Sequence, residues 1–119
     1  MNLVISKVVA IVVTYNRKEL LIECLRALLE QSIELVEILV IDNNSTDGTE
    51  KFLEMDGILR EKSINYIKLS SNIGGAGGFY EGLKRVKDKE YNWVWLMIFF
   101  AVMSVLAYLW KRRIWSQVH

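Results

Sequence analysis

The sequence has no proline, one cysteine, one histidine, and no acidic residue after Glu90. The lack of proline leaves regular helices and strands free to run through the whole chain. With Cys24 alone no internal disulfide can form, and a reducing compartment is expected. The only imidazole belongs to His119, the last residue, so no Ser-His-Asp or Cys-His arrangement can be argued, and no Cys/His set has zinc spacing. An excess of one charge is lacking too. Fifteen Lys and Arg stand against fourteen Asp and Glu with no basic stripe, which gives no reason to expect a nucleic-acid surface. The opening M-N-L-V-I-S-K lacks the basic start and long apolar segment of a secretory signal, so a cytoplasmic chain is expected. One domain is the ceiling for 119 residues, and no internal repeat or low-complexity segment divides it.

What is present centres on Ile38–Thr49, I-L-V-I-D-N-N-S-T-D-G-T. An uninterrupted β-branched run reads as a strand buried on both faces, as in a parallel sheet. It breaks into Asp42-Asn43-Asn44-Ser45-Thr46-Asp47-Gly48, a cluster of turn formers and helix caps. A carboxylate at the carboxyl end of such a strand lies where open α/β sheets take ligands. Asp42 could accept a hydrogen bond from a base imide or a ribose hydroxyl there, or it could serve only its own Asx turn. Lys7–Thr14 is a second buried-strand run, ending in Tyr15-Asn16-Arg17 on the same edge. Tyr15 could stack on a base and Arg17 could pair with phosphate. Asn16 is expected to cap the next helix, with Glu19 as its reciprocal partner, over Lys18–Gln31, where Leu21, Cys24, Leu25 and Leu28 form the apolar face.

Asp47 is expected to cap a second helix with an apolar stripe of Phe52, Met55 and Leu59, which Gly57 weakens or ends. Ile64–Leu69 reads as a third strand nearer an edge. Ser70–Gly78, S-S-N-I-G-G-A-G-G, reads as a flexible stretch. Its glycines could let backbone approach a ligand or pack a helix tightly on the sheet, and they match neither the dinucleotide fingerprint nor the Walker loop. A third helix carries Phe79, Leu83 and Val86, and Asn92–Met97 is a fourth strand. The alternation β-α-β-α-β-α-β predicts an α/β fold, a Rossmann-like parallel sheet of about four strands with covering helices.

Four segments occur in order: V-V-T-Y-N-R (Val12–Arg17), I-D-N-N-S-T-D-G-T (Ile41–Thr49), N-I-G-G-A-G-G-F (Asn72–Phe79) and W-V-W-L-M (Trp93–Met97). Together they resemble the N-terminal half of family 2 glycosyltransferases of the GT-A fold. The Asn72–Phe79 variant resembles the rhamnosyltransferase and galactofuranosyltransferase branch. The resemblance divides the chain into residues 1–97, a nucleotide-sugar-binding half, and 98–119, a tail unlike the family. It implies a hexosyltransferase-type enzyme, a UDP- or dTDP-sugar donor, and a saccharide acceptor such as a growing cell-surface polysaccharide. It implies that Thr14, Tyr15 and Asp42 hold the nucleoside, with Asn16, Arg17 and Asn44 beside them, and that Asn72, Gly74 and Gly75 line the donor site. It also implies a divalent cation, Mg or Mn, on an Asp-x-Asp motif directly after Met97. Here Ile98-Phe99-Phe100-Ala101 follows instead, so the ligand motif is missing, as are the acceptor half and a later catalytic base. A truncated chain with weak activity or none is therefore expected.

Trp93–Trp110 is eighteen residues without a charge, followed by Lys111-Arg112-Arg113. Read as one helix it just reaches the length of a membrane span. Read as the fourth strand plus a tail, it leaves thirteen residues, about 20 Å of helix, short of the hydrocarbon core. The second reading agrees with the resemblance and predicts an apolar C-terminal helix. That helix would pack on the sheet, pair with a second copy, or rest on the inner face of the plasma membrane. The rival reading of the whole chain follows from it: a non-catalytic remnant, membrane-associated or oligomerising, held by its tail.

Overall fold

β1 (Val8–Tyr15) and β2 (Leu35–Asp42) lie side by side in parallel and form the centre of a sheet whose side chains are buried on both faces. This is what their unbroken β-branched sequence requires. The computed structural model describes residues 7–32, 35–100 and 106–111, with the backbone alone for 100 and 106–111. The remaining elements are α1 (Lys18–Glu30), α2 (Thr49–Asp56), a 3-10 turn at Ile58–Arg60, β3 (Ile64–Lys68), α3 (Gly74–Val86), β4 (Trp93–Phe100) and β5 (Leu106–Lys111). Strand order is β3-β2-β1-β4-β5. The first four strands are parallel, as expected, and β5 runs antiparallel to β4. Because β2 and β4 flank β1 on opposite sides, the winding reverses at β1. The carboxyl ends of β1 and β4 therefore border the crevice where such sheets take ligands.

Alternate residues of the strands face two cores. Ile11, Val13, Leu39 and Ile41 pack with Leu83 and Val86 of α3. Ala10, Val12, Ile38 and Val40 pack with Leu21, Leu25 and Leu28 of α1 and Leu53 of α2. Each fully buried leucine contributes roughly 1.5–3 kcal/mol. Cys24 joins the α1 face as expected, with its Sγ 3.9 Å from Met97 Sδ.

Several local expectations are corrected. Gly57, at φ 92°, ends α2 by donating its N–H to the carbonyls of Leu53 and Glu54. The helix is therefore too short to carry the expected stripe. Leu53 is the buried contact, while Met55 is 79% exposed and Leu59 falls in the 3-10 turn. The Gly-rich stretch is not a loop, because Gly74 to Gly78 form the first turns of α3. β4 continues three residues beyond Met97, to Phe100. The tail is not the apolar helix predicted from its composition. Ile98–Phe100 complete β4 and Leu106–Lys111 is a strand, since β4 offers a free edge whose backbone groups a returning strand satisfies. The rest of the tail lies outside the described residues. Among the described residues no helix is long and apolar enough to cross a membrane.

Candidate functional site

Thr14 and Asp42 are ladder partners at the carboxyl ends of β1 and β2, and the Asn43 N–H donates to the Thr14 carbonyl at 2.9 Å. By strand alternation both side chains project to the α1–α2 side of the sheet, and both residues are fully buried. Asp42 Oδ1 accepts the Ser45 N–H at 2.8 Å, which is the Asx turn weighed from the sequence. Its Oδ2 accepts the hydroxyl of Tyr66, which reaches up from β3. Thr14 Oγ1 is buried and, among the described residues, has no hydrogen-bond partner, a costly state for a hydroxyl.

Asn16 does not cap α1. It sits at φ 54° and turns its side chain away from the helix. Its N–H donates to Ser45 Oγ at 2.9 Å, its Oδ1 accepts the Thr46 N–H at 2.7 Å, and its Nδ2 donates to Thr46 Oγ1 at 3.2 Å. Asp47 does not cap α2 either, because Gly48 at φ 79° takes the capping position. Asp47 Oδ2 instead accepts the Lys18 N–H at 3.4 Å, Lys18 Nζ donates to the Asp47 carbonyl at 2.8 Å, and Thr49 Oγ1 donates to Asp47 Oδ1. The two residues read as caps are thus the clasps between the loops after β1 and β2. They hold Tyr15, Asn16 and Arg17 beside Asn44, which stands at φ 64°.

The second group of expected residues lies at the start of α3. Asn43 projects to that side of the sheet and ties it to the rim, donating through Nδ2 to the Gly74 carbonyl at 2.9 Å and accepting the Ile73 N–H on Oδ1 at 3.1 Å. Asn72 is exposed and its Oδ1 accepts the Gly74 N–H at 2.9 Å. Gly74, at φ 80°, has open space where a side chain would begin. Gly75 faces the sheet, and a Cβ there would lie 2.5 Å from Ile98 Cδ1. Its absent side chain therefore serves packing on β4.

Sequence reasoning passed over Asn43, Ser45, Thr46 and Tyr66. Alternation from buried Ile41 places Asn43 on the α3 side, and that was the available signal for it. Tyr66 had none, since its contact is diagonal across two strands.

The position where the resemblance puts metal carboxylates is apolar. Ile98 and Phe99 are 5% and 4% exposed, and Phe99 is the ladder partner of Thr14. Among the described residues no group of three His, Cys, Asp or Glu side chains could hold a metal ion. The residues described at this position do not fit a divalent cation. Burial, then the hydrogen bond to Asp42 and the charges of Asp42, Glu50 and Asp47, push the Tyr66 hydroxyl well above its ordinary value, so it stays a donor. Burial pushes the Cys24 thiol up to about 12, which removes it as a nucleophile.

A parallel sheet with a polar rim at its winding reversal is the architecture of a nucleotide-binding α/β domain. The profile of the family described as Glycosyl transferase family 2 matches residues 9–97, and the chain belongs to that family. It is 30% identical over 89 residues to galactofuranosyltransferase GlfT1 of Mycolicibacterium smegmatis, covering 75% of this chain and 28% of that protein. Among solved structures it is similar to the mannosyltransferase PcManGT of Pyrobaculum calidifontis in complex with GDP-Man and Mn2+. That likeness has a TM-score of 0.62 and 26% identity, over 78% of this chain and 27% of that one. It is also similar to residues 1–349 of S. aureus TarS in complex with UDP-GlcNAc, with a TM-score of 0.63 and 29% identity, over 77% of this chain and 26% of that one. The chain thus spans little more than a quarter of the length of these relatives.

Proposed function

We propose that this chain is the nucleotide-binding part of a glycosyltransferase that takes a UDP- or dTDP-sugar and serves transfer to a saccharide acceptor. The observation that carries the reading is the pairing of Thr14 with Asp42 at the carboxyl rim of parallel strands, beside the winding reversal at β1. In this reading Asp42 meets the imide of the base, and the unpartnered Thr14 hydroxyl and Tyr15 contact the nucleoside. Asn16, Arg17 and Asn44 flank it, and Asn72 with Gly74 and Gly75 lies along the diphosphate side. The relatives' nucleotide-sugar complexes support the ligand class. Ile98 and Phe99, standing where metal carboxylates would be needed, support little or no sugar transfer by this chain alone.

Isothermal calorimetry with UMP, UDP and dTDP tests the reading. Binding that is lost in Asp42→Ala, in a variant that keeps its circular dichroism, is the expected result. Equal binding by variant and parent rejects the base contact, and sugar transfer by the purified chain rejects the inactivity.

One observation favours association as a second property. β5 is an edge strand of sequence L-A-Y-L-W-K, and among the described residues its outer side has no partner strand. Light scattering on the full chain and on residues 1–100 separates a tail-dependent oligomer from a monomer.

A further inference from the structure

The rim presents a difficulty for any base contact by Asp42: the residue has no exposed surface and both its carboxylate oxygens already have donors. The two donors differ in kind. The Ser45 N–H on Oδ1 is backbone three residues on, held within the turn and in the Ser45–Asn16 clasp. It cannot leave without undoing both rim loops. The Tyr66 hydroxyl on Oδ2 is a side-chain group from a different strand. Tyr66 is the ladder partner of Val40, so its ring crosses diagonally to the next same-facing residue of β2, a span aromatic side chains reach. It belongs to β3, the outermost parallel strand, and is only half-buried, so it can turn outward where Ser45 cannot. In chemistry it is a neutral O–H donor aimed at a carboxylate oxygen, which is what an imide N–H would be.

We infer that Tyr66 is an internal stand-in for the base, and that a uracil or thymine imide binds Asp42 by replacing its hydroxyl on Oδ2. The inference rests on the base contact proposed above and deepens it. The ligand must bring its own donor to that oxygen, which restricts the site to bases with an N–H there. The exchange is one donor for another, so the buried carboxylate is never left without a partner. The raised Tyr66 hydroxyl fits this role, since a stand-in donor must keep its proton.

Tyr66→Phe keeps the ring and removes only the donor. Two opposite shifts are expected in that variant. It should melt lower by about 5 °C, because a buried carboxylate loses a hydrogen bond. It should also bind UMP about tenfold more tightly, because no hydroxyl has to be displaced. A residue with a structural role alone would give the first shift without the second. Unchanged or weaker UMP binding by folded Tyr66→Phe overturns the inference. A second readout needs no variant: in the native chain with labelled tyrosine, the Tyr66 ring resonances should move on addition of UMP, and unmoved resonances at saturation overturn the inference as well. Asp42→Ala keeps the two levels apart. If it leaves UMP binding intact, the base contact itself is wrong. If it abolishes binding while Tyr66→Phe fails to tighten it, only the stand-in role is wrong.

Discussion

Gly75 lies directly over Ile98, close enough that a methyl group on Gly75 would come within 2.5 Å of the isoleucine Cδ1. The same closeness recurs along α3, where a Cβ on Gly78 would lie 2.6 Å from Val13 Cγ1 and one on Gly82 would lie 2.5 Å from Ile11 Cγ2. The helix rests on β1 and β4 through its missing side chains. The rim position after Met97 is thereby filled by a packed isoleucine.

Gly78→Ala and Gly82→Ala should each lose about 1–3 kcal/mol, because Val13 and Ile11 are fully buried and cannot yield. Gly77→Ala is the control. The nearest atoms to its Cβ would be Cγ1, Cβ and Cδ1 of Ile73, at 2.9, 3.1 and 3.1 Å, in a side chain that is 45% exposed rather than locked in the core, and the crowding is offset by the gain of about 1 kcal/mol that alanine has over glycine in a helix. Urea denaturation should rank Gly77→Ala near the parent and the other two well below. A Gly77→Ala loss equal to theirs would refute the packing account.

Asn43→Ala should cost about 2–3 kcal/mol, since it leaves the Gly74 carbonyl and the Ile73 N–H without their partner at the entry to α3. Amide exchange gives the sharper check. The Ile73 amide should lose protection selectively, while the amides of β1 and β2 fall only by the global change. Retained protection at Ile73 would mean that the asparagine does not hold the helix start.

Cys24 should resist alkylation at pH 8 in the folded chain and react readily in urea, because burial pushes its thiol from an ordinary 9.0 up to about 12. The sign of the linked stability follows. Above pH 9 the unfolded chain loses this proton and the folded chain keeps it, so the contribution is whole below pH 9 and is lost as pH rises toward 12. Cys24→Ala should flatten that part of the stability profile, and an unchanged alkaline slope would contradict it.

The sequence was legible where one physical demand ruled a segment. Lys7–Thr14 and Ile38–Ile41 read as buried strands because short β-branched runs closed by turn formers suit a sheet covered on both faces, and both form strands there. Their parallel pairing then put Thr14 and Asp42 on one rim. Reading was weakest where a residue had two local uses. Asn16 and Asp47 satisfy capping rules by position, yet long-range bonds to Thr46 and Lys18 win both. The glycines of α3 resembled a loop because helix propensity says nothing about how near a sheet lies. The strand β5 was hidden for the reverse reason, since composition alone cannot tell an apolar helix from a strand completing an edge.

The central position of β1 also sets an order of events. It is made well before its neighbour β4, whose Trp93 pairs with Val8 across a long stretch of chain. A central strand can rest only when both flanks arrive, and closing so long a loop is slow. While the chain is being synthesised, one side of β1 therefore waits, apolar and unpaired, until β4 is delivered. Refolding should be limited by the arrival of β4, and a circularly permuted chain that begins at β4 should fold faster than the natural order.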